Sequence, residues 1–222
     1  MSSDKKYILY SYWRSSCSWR VRAVLALKNI DYEYRGVSLY NGEQFKEDFQ
    51  KLNPMGYVPV LIVPTDEGDG EALFESLAIV DYLENVQPEP SIYPKCPIMK
   101  AKVKGIAELI TSGIQPMQNL GCINKVAEFA GGDKTKSAEW ANFWIDKKFE
   151  SLERLLSTLS GKYCVGDELT LADMCLVPQV YNALRFNVDI NKFPTIKRLH
   201  DFLSEDVSVI VDTRPEAMPD AF

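Results

Sequence analysis

The order of apolar and polar positions divides the chain into two differently built parts. Tyr7-Ile8-Leu9-Tyr10-Ser11-Tyr12-Trp13 is an aromatic and branched run of strand type. It leads into a helix predicted over residues 16–29, with Cys17, Val21, Val24, Leu25 and Leu27 as its apolar positions and Asn29 at its stop. Tyr32 to Leu39 reads as a second strand. Glu43 to Leu52 reads as a short polar helix that ends before Asn53-Pro54. Strand, helix and strand in this order suggest a right-handed βαβ unit. Val58 to Val63 is an apolar strand opening on a proline, and Asp66-Glu67-Gly68-Asp69-Gly70 is a turn. Ala72-Leu73-Phe74 returns as the partner of a β-hairpin. Ser76 then caps a helix running to about Gln87.

Pro88-Glu89-Pro90-Ser91 is a linker by composition, and beyond it no segment reads as a strand. Residues 98–127, 137–159, 171–185 and 194–204 have helical spacing. Thr170-Leu171-Ala172-Asp173 is a capping box with Asp in place of Glu, and Pro178 is expected to kink the helix it opens or remove one of its hydrogen bonds. The expected class is therefore α/β plus all-α. An N-terminal domain over 1–87 carries a βαβ followed by ββα, and an all-helical bundle occupies 92–222.

Charge changes the picture mainly by exclusion. The net charge is −6, with 9 Lys and Arg against 13 Asp and Glu up to residue 88 and 16 against 18 beyond it. Neither part is a basic arm, so a nucleic-acid partner is not expected. Apolar residues make up 46% of the chain, enough for a sizeable core without metal or disulfide support. Five cysteines, an odd number without metal-ligand spacing, point to reduced thiols and a cytoplasmic setting. A single histidine argues against zinc catalysis or a histidine-based triad. No apolar run reaches membrane-spanning length, and the first six residues lack a secretory signal pattern.

The most informative residues are Ser15-Ser16-Cys17-Ser18-Trp19-Arg20, where small hydroxyl and thiol side chains meet a strand-to-helix turn. The first amides of a helix lack internal partners and favour an anion, here argued to be a thiolate. A free thiol has a pKa of about 8.5, and lowering it by two units takes about 2.7 kcal/mol of preferential stabilisation. One charge-assisted hydrogen bond and a helix N-terminus are of that order. Ser15 has a plainer reading as a helix cap. Cys17 is either a small core residue or itself an acidic nucleophile. Arg20 stands where a Cys-x-x-Cys motif needs its second cysteine, which excludes a two-cysteine redox mechanism.

A thioredoxin-like βαβββα domain joined to a helical domain resembles the glutathione transferases. Ser15-Ser16-Cys17-Ser18-Trp19-Arg20-Val21-Arg22 is similar to the signature of their zeta class. Further similarity lies in Asn53-Pro54-Met55-Gly56, Val58-Pro59, Glu75-Ser76 and Ser112 to Leu120, and continues in Val165 to Asp173, Pro178-Gln179-Val180 and Arg185-Phe186. The hairpin segment Pro64 to Gly70 is longer than expected for the class, and Gly121-Cys122 departs from its pattern.

The resemblance implies glutathione as cofactor and a small dicarboxylate as substrate. It implies cis–trans isomerisation of maleylacetoacetate to fumarylacetoacetate in phenylalanine and tyrosine breakdown, with activity on small α-halo acids. A homodimer and a cytoplasmic location are further expectations. Ser15, assisted by Cys17, would activate the sulfur. Ser16, Cys17, Ser18, Trp19, Arg20, Gln44, Val58, Glu75, Ser76, Gln115, Asn119, Leu120 and Gly121 would form the glutathione site, with Pro59 in the cis form. Arg185 and Arg14 would meet substrate carboxylates. No metal is implied. An omega-like thiol transferase working through Cys17, a general detoxifying transferase, and a non-enzymatic member with the same fold stay open as alternatives.

Overall fold

The structure is a computed structural model describing residues 6–66, 68 and 70–221. Among these, residues up to Ser91 and from Ser208 onward gather into one compact unit, and Ile92–Val207 form a second.

The first unit is built on a four-stranded sheet. Its elements are β1 (Tyr7–Ser11), α1 (Ser16–Leu27), β2 (Tyr32–Gly36), α2 (Glu47–Leu52), β3 (Val60–Val63), β4 (Glu71–Phe74) and α3 (Ser76–Val86). The strand order is β2-β1-β3-β4. β1 runs parallel to β2, with Tyr7 opposite Tyr32, and antiparallel to β3, which pairs antiparallel with β4. This is the expected thioredoxin-like arrangement. Val60 and Ile62 of β3 join a core with Val37, Phe49 and Val58, while Leu61 is buried on the opposite face. A strand covered on both faces has no polar side, which is why Val60-Leu61-Ile62 reads as a continuous apolar run.

Three details differ from the expectation. β2 ends at Gly36 rather than Leu39. The single helix expected over 43–52 is a 3₁₀ turn at Glu43–Phe45 followed by α2, parted where Lys46 is extended at φ −67° and ψ 145°. Ser76 is the first helical residue of α3, and its N-cap is Glu75. In the hairpin turn Glu67 and Asp69 lie outside the described residues, as do residues 1–5. Gly70 has φ +92°, and a Cβ there would stand 2.6 Å from the Val63 carbonyl oxygen, so the chain returns at a position only glycine fits. α1 stops as expected, with Asn29 left-handed at φ 52°. Val58–Pro59 is cis, and so is Glu89–Pro90.

The C-terminal segment, expected to belong to the helical domain, belongs to the first unit instead. It carries α9 (Ser208–Val211) and a 3₁₀ turn at Pro215–Ala217. The reason lies in two polar side chains buried on α1. Trp19 donates its indole N–H to the Ile210 carbonyl at 3.3 Å and the Thr213 hydroxyl at 3.2 Å. Arg22 donates to the Thr213 carbonyl through Nε at 3.2 Å and Nη2 at 3.1 Å. Buried donors require acceptors, and the carbonyls of α1 are already used within the helix.

The second unit contains α4 (Pro97–Glu108), α5 (Leu120–Phe129), α6 (Lys134–Leu159), α7 (Leu171–Arg185) and α8 (Pro194–Asp206). The helical stretch expected over 98–127 is divided. α4 passes into a π-helical turn at Leu109–Ile114 and a 3₁₀ turn at Gln115–Gln118 before α5 begins. Pro116 lacks an N–H to continue the α-helical ladder, and Asn119 is extended. α7 is buried along Leu171–Val180 and passes through Pro178 without ending. Its capping box is formed by Thr170 and Asp173. Among the described residues this unit has no strand, only an isolated bridge between Ser160 and Gly166. None of the described helices is long and apolar enough to cross a membrane.

Candidate active site

Tyr12 to Ser15 link β1 to α1, so the register of β1 sets where the first turn of α1 begins. Ser15 is the N-cap, at φ −71° and ψ 119°, and its Oγ accepts from the Ser18 amide at 3.2 Å. The capping role is therefore real, yet it uses only acceptor capacity. The hydroxyl proton stays available to donate. Ser16 and Ser18 are buried and Cys17 is half-buried. Trp19 is buried against the C-terminal segment, so its indole N–H serves as a fastening there rather than as a site donor.

Arg22, to which the sequence analysis assigned no role, holds this turn from beneath. It is fully buried and donates to the Ser11 hydroxyl at 3.2 Å and the Trp13 carbonyl at 3.0 Å, besides Thr213. Burial pulls its pKa down, opposed by the nearby Tyr34, Tyr32 and Asp220. The available signal was a pair of arginines two residues apart inside an otherwise apolar helix.

Arg20 is 1% exposed. Its Nη1 donates to the Ser76 hydroxyl at 2.9 Å and lies 3.8 Å from the Cys17 sulfur. The starts of α1 and α3 thus share one guanidinium, and Cys17, Arg20 and Ser76 come together. Just before Ser76, Glu75 has φ 64° and ψ 114°, a strained conformation for a residue with a Cβ. Such strain concentrates at ligand-binding positions. The Glu75 side chain is exposed, whereas Ser76 is buried. Gln44 is also buried, and its Oε1 has no partner. Val58, before the cis proline, is 8% exposed. Arg14 is half-buried with its guanidinium 5.1 Å from the centroid of the Trp13 ring.

The second unit holds the remaining candidates. Gln115 is buried and donates its side-chain amide to the Asn119 side chain. Gln118 and Gln179 exchange amide hydrogen bonds at 3.1 and 3.4 Å, tying the 3₁₀ turn to α7. Leu120 and Gly121 open α5 and are exposed. Arg185 ends α7 in an exposed position, with Nη1 2.9 Å from the Asn182 side-chain oxygen and its guanidinium over the Phe186 ring. Among the described residues no group of His, Cys, Asp and Glu could hold a metal ion, and all five cysteines are free.

This fold, with a hydroxyl-lined turn opening its first helix, defines a class of protein. Residues 14–86 match the family model of the glutathione S-transferase N-terminal domain, and residues 122–209 match that of the C-terminal domain. The maleylacetoacetate isomerase of Mus musculus is 46% identical over 217 residues, covering 97% of this chain and 95% of its own. That of Dictyostelium discoideum is 44% identical over 221 residues, covering 99% and 98%. A crystal structure of maleylacetoacetate isomerase from Anaeromyxobacter dehalogenans 2CP-1, with bound dicarboxyethyl glutathione and citrate in the active site, superposes with a TM-score of 0.88 at 40% identity, over 99% of this chain and 96% of that one. The chain belongs to the glutathione S-transferase family and, within it, to the zeta class of maleylacetoacetate isomerases. It is an enzyme of that type.

Proposed function

We propose that this enzyme uses glutathione as a cofactor to isomerise maleylacetoacetate to fumarylacetoacetate, in the cytoplasm and as a homodimer. One observation carries the reading. The Ser15 hydroxyl accepts from the Ser18 amide, so its own proton is left for a sulfur placed at the start of α1. Glutathione would supply a thiolate that adds to the activated cis double bond and leaves again after rotation about the resulting single bond, so that it is regenerated. Ser15 and the first amides of α1 would hold that sulfur in its anionic form. The buried polar atoms without partners on Gln44 and Arg20 suit a polar peptide ligand in the first unit. Val58, Glu75 and Ser76 there, and Gln115 and Asn119 of the second unit, are the remaining candidates to hold it, with Ser16, Ser18, Leu120 and Gly121 beside them. Arg185 and Arg14 would bind the substrate carboxylates and stabilise negative charge developing on its carbonyl oxygen. The glutathione adduct of a dicarboxylate in the Anaeromyxobacter relative supports this substrate class. Displacement of halide from small α-halo acids is proposed as a side activity of the same thiolate. Five free thiols support a reducing compartment.

The test is isomerisation of maleylacetone or maleylacetoacetate with and without glutathione, for the native protein, Ser15→Ala and Cys17→Ala. Activity that needs glutathione, collapses in Ser15→Ala and persists in Cys17→Ala is expected. Disulfide-exchange activity without isomerisation, lost in Cys17→Ala, would move the protein to the thiol-transferase reading.

A further inference from the structure

Arg20 occupies a position that is costly for the protein by itself. Its side chain is 1% exposed, and of its donor atoms only Nη1 has partners, the Ser76 hydroxyl and the Cys17 sulfur. Nε and Nη2 are buried without any partner. Neither partner of Nη1 is a carboxylate, so no acid among the described residues neutralises the charge. A buried, uncompensated guanidinium with idle donors is strongly unfavourable and calls for an anion. The elements around it add to that demand. The guanidinium spans the N-terminal turns of α1 and α3, whose free amides carry positive partial charge.

Ser76 shows where this charge is directed. A hydroxyl has one proton to donate. Its oxygen accepts from Arg20, so the proton is turned to something else, and a hydroxyl that accepts from a cation becomes a stronger donor. Glu75, at its strained φ of 64°, brings Ser76 into the first turn of α3.

We infer that Arg20 is a positioning residue for an anionic ligand: through Ser76 it aims a polarised hydroxyl at the α-carboxylate of the γ-glutamyl end of glutathione, and it is the countercharge that this carboxylate neutralises. The inference rests on the glutathione reading above. It makes the first unit selective for a carboxylate at that end of the tripeptide. It also makes the ligand-free protein the less stable form, since the charge is then uncompensated.

The experiment compares glutathione with γ-aminobutyryl-cysteinyl-glycine, the same tripeptide lacking only that α-carboxylate. Binding to the native protein and to Arg20→Met is measured by calorimetry, with unfolding midpoints of both proteins free of ligand. The native protein is expected to bind glutathione about tenfold or more tightly than the analogue, as loss of a charged hydrogen-bonded contact implies. Arg20→Met is expected to bind the two alike, and to unfold at or above the native midpoint when free of ligand. Equal loss of affinity for both tripeptides, or a ligand-free Arg20→Met that is clearly less stable, overturns the inference and makes Arg20 a structural pin. Should Arg20→Met not fold, Arg20→Gln, which also removes the charge, carries the same comparison, and undiminished discrimination between the tripeptides overturns the inference. A native protein that binds neither tripeptide removes the glutathione reading itself, and this inference with it.

Discussion

Asp220, close to the C-terminus, accepts the backbone N–H of Trp13 at 3.1 Å, two residues before Ser15. Its other oxygen accepts the Tyr34 hydroxyl at 2.6 Å. Together with the Trp19 and Arg22 bonds to Ile210 and Thr213, this straps the end of the chain across the turn that presents the reactive serine. Asp220→Ala leaves a backbone amide and a phenol without their charged acceptor. It is expected to destabilise the protein by about 1–2 kcal/mol, in line with hydrogen bonds to charged groups in partly exposed settings. Urea unfolding checks the size, and isomerase activity is expected to fall even in the folded fraction because the Trp13–Ser15 backbone loses its restraint.

Ser15 has two separable roles. Ser15→Ala removes the cap from Ser18 N and is expected to cost about 1 kcal/mol of stability besides activity. Ser15→Asp keeps an acceptor for the cap but has no hydroxyl proton for the sulfur. It is expected to restore the thermal midpoint while leaving isomerisation at the Ser15→Ala level. Recovery of activity in Ser15→Asp would show that the cap alone is what matters.

Asp173 is fully buried and accepts the Cys164 amide at 2.7 Å, the Thr170 amide at 2.8 Å and the Thr170 hydroxyl at 2.9 Å. Burial nevertheless holds its pKa above the usual carboxylate value. Asp173→Ala orphans all three donors and is expected to cost about 3–5 kcal/mol, enough to reduce the soluble yield severely. Asp173→Asn keeps one acceptor and is expected to lie between the two. Denaturation midpoints of the three proteins give the order.

His200 in α8 is mostly buried, and that burial pulls its imidazole pKa below the usual 6.5, against the opposing effect of Asp201. Folding therefore favours the neutral ring, while the unfolded chain takes up a proton. The stability linked to neutral His200 is complete above pH of about 6.5 and is lost as pH falls from there toward the folded pKa. The carboxylates held low, such as Asp201, lose theirs at more acidic pH. Unfolding free energies at about pH 7.5 and 5.5 are expected to differ in the native protein and to differ less in His200→Asn.

Much of this was decided locally and could be read directly. The spacing of apolar residues placed every strand and long helix of the first unit, because a two-residue or 3.6-residue period reflects which side of one element meets a core. The stop at Asn29 and the Thr170–Asp173 box were legible because left-handed backbone and orphan amides select particular side chains over a few residues. The serine-rich turn stood out for the same reason, and its likeness to a known family brought the distant Glu75-Ser76 into view. Contacts between residues far apart in the chain were decided only by the tertiary structure. Nothing local to Asp220 or Thr213 indicates that the one binds the Trp13 amide and Tyr34 while the other accepts from Trp19 and Arg22 of α1. No period predicts that Arg20 and Arg22 turn inward, where a charge is tolerated only if acceptors or a ligand arrive from elsewhere. A buried polar group is specified by its partners, and for these residues partners such as Ser76 for Arg20 and the Trp13 amide for Asp220 lie 56 and 207 positions away along the chain, brought within reach only by folding.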